Sequence, residues 1–267
     1  VTNDFEDFCA ITEARTPKHG GVGSHRVVPS EETWRTIAPW LGRAGITRVA
    51  NVTGLDHMGI PVWQAIRPNS RSLSVSQGKG VDAMAAKVSA VMESLETWCA
   101  ERARCELRLA SFGEVAAEGA ADPSTLPLVP GGNYSDGAAV LWTRGFDLIG
   151  RTPMWVPFEL VHANMTVSGK TFSRTTNGLA SGNTLAEATL HGLSEIVERD
   201  AHALWKLRSS DAQAATRIDV AEVEDPAVRH LLELYGAAGI VPIMWNMTSD
   251  VGIAAIRVIA FDADTDA

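Results

Sequence analysis

Hydrophobic and polar positions along the chain switch between two periods, and the switches mark the elements. Trp34, Ile37, Trp40 and Leu41 recur at helical spacing, which predicts a helix from about Glu31 to Arg43, capped by Ser30 and stopped by Gly45. The pattern then changes to strand-like runs, TRVANVT, IPVWQAIRP and RSLSVSQ, separated by the turns GLDHMG and PNS. Gly78-Lys79-Gly80 leads into a second helix. Beyond Arg108 the signal fades through EVAAEGAADPSTLPLVPGG, an Ala, Gly and Pro-rich span that reads as a connector. Strands resume at AAVLWTRGFD, MWVPFELVHA and KTFSRTT, followed by a long helix, a helix near Pro226 to Ala237, and the strands GIVPIMWNMT and GIAAIRVIAF. The expected class is α+β, with antiparallel sheets carrying helices.

The long helix lies in SGNTLAEATLHGLSEIVERD, Ser181 to Asp200. Thr184 is a good N-cap, and Glu187 three residues later completes a capping-box pattern. Glu187, His191, Glu195 and Glu198 follow at spacings of four, four and three, so they share one face. The same pattern occurs earlier. Gly80 to Thr97 aligns without a gap to Gly182 to Arg199, matching Asp82 with Thr184, Ala86 with Ala188, Glu93 with Glu195 and Glu96 with Glu198. Each helix also follows a strand-like run, SRSLSVSQ or KTFSRTT. A helical glutamate taken singly is most often a solvated charge, and Arg199 has a simple partner in Glu195 one turn back. A solvated face has no reason to repeat its carboxylate pair on two helices, so duplicated halves packed face to face are the sharper reading. Four facing carboxylates repel unless cations or protons lie between them.

Composition narrows the chemistry. A chain of 267 residues with 45% hydrophobic residues can bury a large core. A formal net charge of −9 without a basic stripe argues against nucleic-acid binding. The three cysteines, Cys9, Cys99 and Cys105, form no CxxC, which argues against zinc and for a reducing compartment. No apolar stretch is long enough to span a bilayer and the N-terminus is acidic, so the expectation is a soluble cytoplasmic protein with no membrane partner. There is no GxxxxGK[ST], GxGxxG or GxSxG, so any nucleotide is bound without a Walker loop. GKG alone is a weak phosphate signal. In the lead-in loop, KHGGVGSHR offers Lys18, Ser24, His25 and Arg26 as donors, read either as a solvated loop or as an anion-binding flap. His191 reads as a packed or capping histidine, and the tryptophans as core. On charge alone, facing acidic helices would hold Mg²⁺, and Mg²⁺ would hold the phosphates of a nucleotide.

At Ser89-x-x-x-Glu93 with Glu96, the GNTLAEATLHGLSEIVERDA segment, Ser24-His25-Arg26 and the GKG turn, the chain resembles the YcaO family, ATP-using enzymes that modify peptide backbone amides. The likeness runs from about Lys18 to the C-terminus. It implies a single domain over 1–267, with a lead-in loop 1–30, a first half about 31–112, a connector about 113–136 and a second half about 137–267. It implies an ATP site between the two acidic helices, with Mg²⁺ held by Glu93, Glu96, Glu195 and Glu198. Lys18, Ser24, Arg26, Ser89, Glu93, Asn183, Glu187 and Arg199 would line the ATP; no residue is assigned as a dedicated catalytic nucleophile. The family pattern continues past the equivalent of Ala267 into a segment with further polar contacts to ATP, so the C-terminal part of the family domain is expected to be missing here.

The family mechanism adds a nucleophile to an amide carbonyl and transfers the γ-phosphoryl group to the resulting oxyanion, after which phosphate departs. A substrate Cys, Ser or Thr gives an azoline by cyclodehydration; external sulfide gives a thioamide. The resemblance implies a precursor peptide as substrate and a separate partner, TfuA-like or leader-binding. The segment from Ile46 to Gly80 is most similar to TfuA-associated members, which favours the thioamide. Two other classes compete: a non-catalytic YcaO-like scaffold that binds a peptide or partner, and an acidic α+β domain with a structural metal. The sequence leaves the oligomeric state, including a homodimer, open.

Overall fold

The computed structural model describes residues 15–19, 25–167, 169 and 171–262, together with Phe8 and Ile11. Its main helices are α1 (Ser30–Ile37), α2 (Ala83–Ala100), α3 (Leu185–Lys206) and α4 (Pro226–Ala237). The strands form three antiparallel sheets. The first contains β1 (Arg48–Asn51), β2 (Val62–Ile66) and β3 (Val75–Lys79); the second β4 (Arg108–Ala110), β5 (Val140–Asp147) and β6 (Thr152–Pro157); the third β7 (Arg217–Ile218), β8 (Ile240–Asn246) and β9 (Ile256–Asp262). Among the described residues no helix is long and apolar enough to cross a membrane.

The first core explains why α2 sits where it does. Ala86, Ala90 and Val91 are fully buried on its sheet-facing side, and Ile37, Ile46 and Ala65 close the cluster from α1, the following turn and β2. Small residues on α2 let the sheet come close. A Cβ on Gly78 of β3 would collide with the backbone of Ala86 and Ala90, so this crossing requires glycine. Separate clusters serve the other sheets: Ala110, Val115, Trp142 and Trp155 in the second, and Ala201, Trp205, Met247 and Ala255 between α3 and the third.

Three expectations are corrected. The helix expected from about Glu31 to Arg43 breaks at Pro39 into α1, a 3-10 turn (Ala38–Trp40) and a short turn (Leu41–Ala44). Pro29, not Ser30, occupies the N-cap, and Trp40 is left exposed, while Gly45 ends the run in the left-handed region (φ 74°). KTFSRTT does not form a strand over its described residues. The N–H groups of Thr171 and Phe172 go to the Glu159 carboxylate at 3.1 and 2.8 Å, and the pairing is limited to one isolated antiparallel bridge between Phe172 and Leu128, in which the Ser173 N–H donates to the Pro127 carbonyl at 2.8 Å. Within the connector span Val115 and Pro123 are buried, and Ala120 bridges Trp155. Glu187 also departs from the capping box, because its carboxylate reaches the N–H of Asn183 rather than that of Thr184.

Candidate functional site

The two acidic helices begin alike. The Asp82 side chain accepts from the N–H of Ala85 at 2.8 Å, and the Thr184 hydroxyl from that of Glu187 at 3.1 Å. A Cβ on Gly80 would lie 2.5 Å from the Ala86 nitrogen, and one on Gly182 2.6 Å from the Ala188 nitrogen. Both glycines therefore let the incoming chain lie directly on the first helical turn, at aligned positions. Deeper in the helices the glycine changes sides. Gly78 lies against Ala90 at the first crossing, whereas at the second Gly192 lies on the helix, where a Cβ would stand 2.6 Å from the Gly178 carbonyl and 3.5 Å from the Ala180 side chain. One missing methyl per crossing permits the close approach in both.

Between these helices opens a cavity of about 550 Å³. Ser89, Glu93 and Glu96 line it from α2, and Glu187, His191, Glu195 and Arg199 from α3; Arg26, Lys79 and Asn183 complete its polar wall. Its size falls in the range of small-molecule sites. The carboxylates are held rather than dangling. Ser181 donates to Glu96 at 2.8 Å, the Gly178 N–H to Glu195 at 2.8 Å, and Arg199 pairs with Glu195 at 2.8 Å while also bonding Asn177. Burial pushes the Glu93 carboxyl up, offset in part by the Gln77 N–H and Lys79. Burial likewise raises Glu96, relieved by Ser181 and His191 and reinforced by the negative charges of Glu93 and Glu195. A cation placed among them would lower that cost.

Glu187 has a different role. It is 4% exposed, and its two oxygens accept from Arg26 Nη1 (3.2 Å), the Val27 N–H (2.9 Å), the Asn183 N–H (3.2 Å) and the Asn183 amide (3.2 Å). Thr33 Oγ1 in turn donates to Asn183 Oδ1 at 2.8 Å. Burial alone would raise this carboxyl, but these donors hold it below the usual carboxylate range. Glu187 thus ties the lead-in loop and α1 to the start of α3, and so sets where Arg26 and Asn183 stand on the cavity wall.

Of the residues expected at the site, the cavity brings together Arg26, Ser89, Glu93, Glu96, Asn183, Glu187, Glu195 and Arg199. Glu198 is exposed and stands outside this wall, within electrostatic reach of His202. Lys18 is exposed and is not among the lining residues, and Ser24 lies outside the described residues. Sequence reasoning missed Ser181, Thr33 and Asn177, whose roles depend on contacts between distant segments, and it read His191 as packing, although that side chain lines the cavity. Among the described residues no three His, Cys, Asp or Glu side chains stand close enough to hold a metal by themselves.

Residues 77–267 match the family model described as YcaO cyclodehydratase, ATP- and Mg²⁺-binding. The chain is 40% identical over 257 residues to an uncharacterised protein in the tfuA 3′ region of Rhizobium leguminosarum bv. trifolii, a match covering 94% of this chain and 61% of that protein. It is 41% identical over 221 residues to an uncharacterised protein of Mycobacterium tuberculosis, covering 81% of this chain and 49% of the relative. The chain therefore spans about half to three-fifths of the length of these curated relatives. Two solved structures share the fold: a heterocyclase in complex with substrate and cofactor (TM-score 0.77, 23% identity, covering 93% of this chain and 37% of that one) and YcaO from Methanopyrus kandleri bound with AMPPCP and Mg²⁺ (TM-score 0.65, 22% identity, 92% and 66%). With a family model matched over most of its length and the same mixed fold, this chain belongs to the YcaO family.

Proposed function

We propose that the cavity between α2 and α3 binds MgATP and uses it to activate a backbone amide of a peptide for modification. The observation that carries this is the set of partly buried carboxylates contributed to one cavity by both helices, with Glu93 and Glu96 already opposed to holding their charge, in a lining that also holds Arg26, Lys79 and Arg199. Mg²⁺ is commonly held by one or two carboxylates and shared with substrate phosphates, so the lack of a complete protein cage among the described residues suits it. Glu93, Glu96 and Glu195 are the proposed protein ligands, no more than two of them to one ion. Glu198 stays in the set on the family resemblance alone. Arg26, Arg199 and Lys79 would neutralise phosphate oxygens, and Ser89 and Asn183 would orient the nucleotide.

Bound MgATP would supply the phosphoryl group that turns an amide oxygen into a leaving group. The chain's own contribution is positioning and charge: Glu187 fixes the Arg26 loop, and Ser181 and the Gly178 N–H fix the carboxylates. No side-chain nucleophile is required. Of the two products, the relative in the tfuA 3′ region supports the thioamide, with sulfide as nucleophile and a TfuA-like partner. The test is phosphate release on mixing the protein, MgATP, a candidate precursor peptide and sulfide, with mass spectrometry of the peptide. Exchange of one oxygen for sulfur supports thioamidation and loss of water supports azoline formation; an unaltered peptide and no phosphate would favour the scaffold reading.

A further inference from the structure

A second cavity, of about 830 Å³, lies close to the first. Three segments contribute residues to both linings: α2 and its exit with Thr97 and Glu101, the loop with Leu73 and Arg71, and the run with Thr176 and Phe172. Along α2 the step between the two linings is one helical turn, about 6 Å, or about two residues of extended peptide. It starts beside Glu96, at the carboxylate end of the first cavity.

The electrostatics of this second cavity are opposite to those of the first. Arg71, Arg102 and Arg104 line it, and its acidic members are already occupied. Glu101 is 2% exposed and is held by Arg67 through two bonds of 2.5 and 2.7 Å, by Ser72 and by Arg102. Glu159 accepts the N–H groups of Thr171 and Phe172. Among the described residues, the exposed Arg71 and Arg104 side chains have no acceptor. Next to them Leu109 and Leu141, paired in register across β4 and β5, are 68% and 43% exposed on one sheet face. A cationic, partly apolar trough on a chain of net charge −9 is complementary to an acidic segment with a bulky apolar residue.

We propose that this cavity is the docking site for an acidic, apolar-containing stretch of the peptide substrate that flanks the reacting amide. Arg71 and Arg104 take its carboxylates, while Leu109 and Leu141 receive its apolar side chain. The inference rests on the reading that the first cavity activates a peptide amide.

The experiment measures fluorescence anisotropy of the full chain with two short fluorescein-labelled peptides, one with aspartates flanking a leucine and the other with lysines in their place. Binding of the non-hydrolysable ATP analogue AMPPCP with Mg²⁺ is measured separately by calorimetry. The aspartate peptide is expected to bind at least about tenfold more tightly than the lysine peptide, and a double variant, Arg71→Glu with Arg104→Glu, is expected to lose about tenfold of that affinity. Nucleotide affinity in that variant stays at the wild-type value, because neither arginine lines the first cavity. Equal affinity for both peptides, no detectable binding of the aspartate peptide, or undiminished binding by the double variant overturns the docking site. Arginine-dependent peptide binding without any nucleotide binding keeps the docking site and removes the ATP reading instead.

Discussion

Replacing Glu187 by glutamine changes one atom in a side chain that accepts hydrogen bonds only from donors. One oxygen serves Arg26 and both donors of Asn183, and the other serves the Val27 N–H. Glutamine keeps one acceptor, so its NH₂ group must face at least one N–H that the carboxylate satisfied. If the oxygen stays with Arg26 and Asn183, the Val27 N–H is left opposite a donor. An unsatisfied buried donor costs about 1–3 kcal/mol. The ion pair with the half-exposed Arg26 adds a few tenths to about 1 kcal/mol. Glu187→Gln should therefore destabilise the fold by about 1–4 kcal/mol, seen as a lower urea midpoint at unchanged slope.

The loss depends on pH with a fixed sign. The folded Glu187 carboxyl titrates below its ordinary value of 4.5. Its contribution is therefore complete above the unfolded value and is lost as pH falls through the folded one. The gap between wild type and Glu187→Gln should be full at neutral pH and close in acid below that range. A variant within 0.5 kcal/mol of wild type at pH 7, or a gap that widens on acidification, would refute the role assigned to this residue; the threshold is the usual scatter of about 0.5 kcal/mol for surface substitutions.

Three further outcomes follow from the same geometry. Glu195→Gln should abolish ATP-dependent peptide modification while thermal melting shows a folded protein, since the substitution removes a proposed magnesium ligand but keeps one acceptor for the Gly178 N–H or Arg199. Gly182→Ala forces a methyl to within 2.6 Å of the Ala188 nitrogen and should cost about 2 kcal/mol by denaturant titration, whereas Gly42→Ala, with nothing within 4 Å, should be neutral or stabilising. Arg67→Met removes two of the bonds that hold the buried Glu101 carboxylate, whose titration is brought down to about 2 against its burial by Arg67, Ser72 and the Arg71 N–H, and with Ser72 and Arg102 still in place should cost up to about 3 kcal/mol at pH 7. The ion pair's contribution is present above pH 4.5 and lost as pH falls toward 2, so the wild-type advantage in an acid titration should shrink across that window.

Much of the site was legible in the sequence because local signals fix local geometry. Asp82 and Thr184 cap their helices as the pattern requires, and the aligned Gly80 and Gly182 make equivalent close approaches. Period and spacing then place Glu93, Glu96 and Glu195 on the cavity side of their helices. What failed depended on partners far along the chain. KTFSRTT has the composition of a strand, but the Glu159 carboxylate takes the N–H groups of Thr171 and Phe172 and pairing stops at a single bridge with Leu128. Glu187 has the spacing of a capping box, yet the lead-in loop supplies better donors from 160 residues away. The Arg67–Glu101 pair and the bond from Ser181 to Glu96 join residues with no sequence relation at all.

The most direct measurement is calorimetric titration of the full chain with AMPPCP in the presence and absence of Mg²⁺, repeated with Glu96→Gln. Saturable binding that requires Mg²⁺, disappears with a chelator and weakens at least about tenfold in Glu96→Gln is the result expected of carboxylates that share a cation with phosphate. Binding that is equally tight without Mg²⁺, or that Glu96→Gln leaves unchanged, would contradict it.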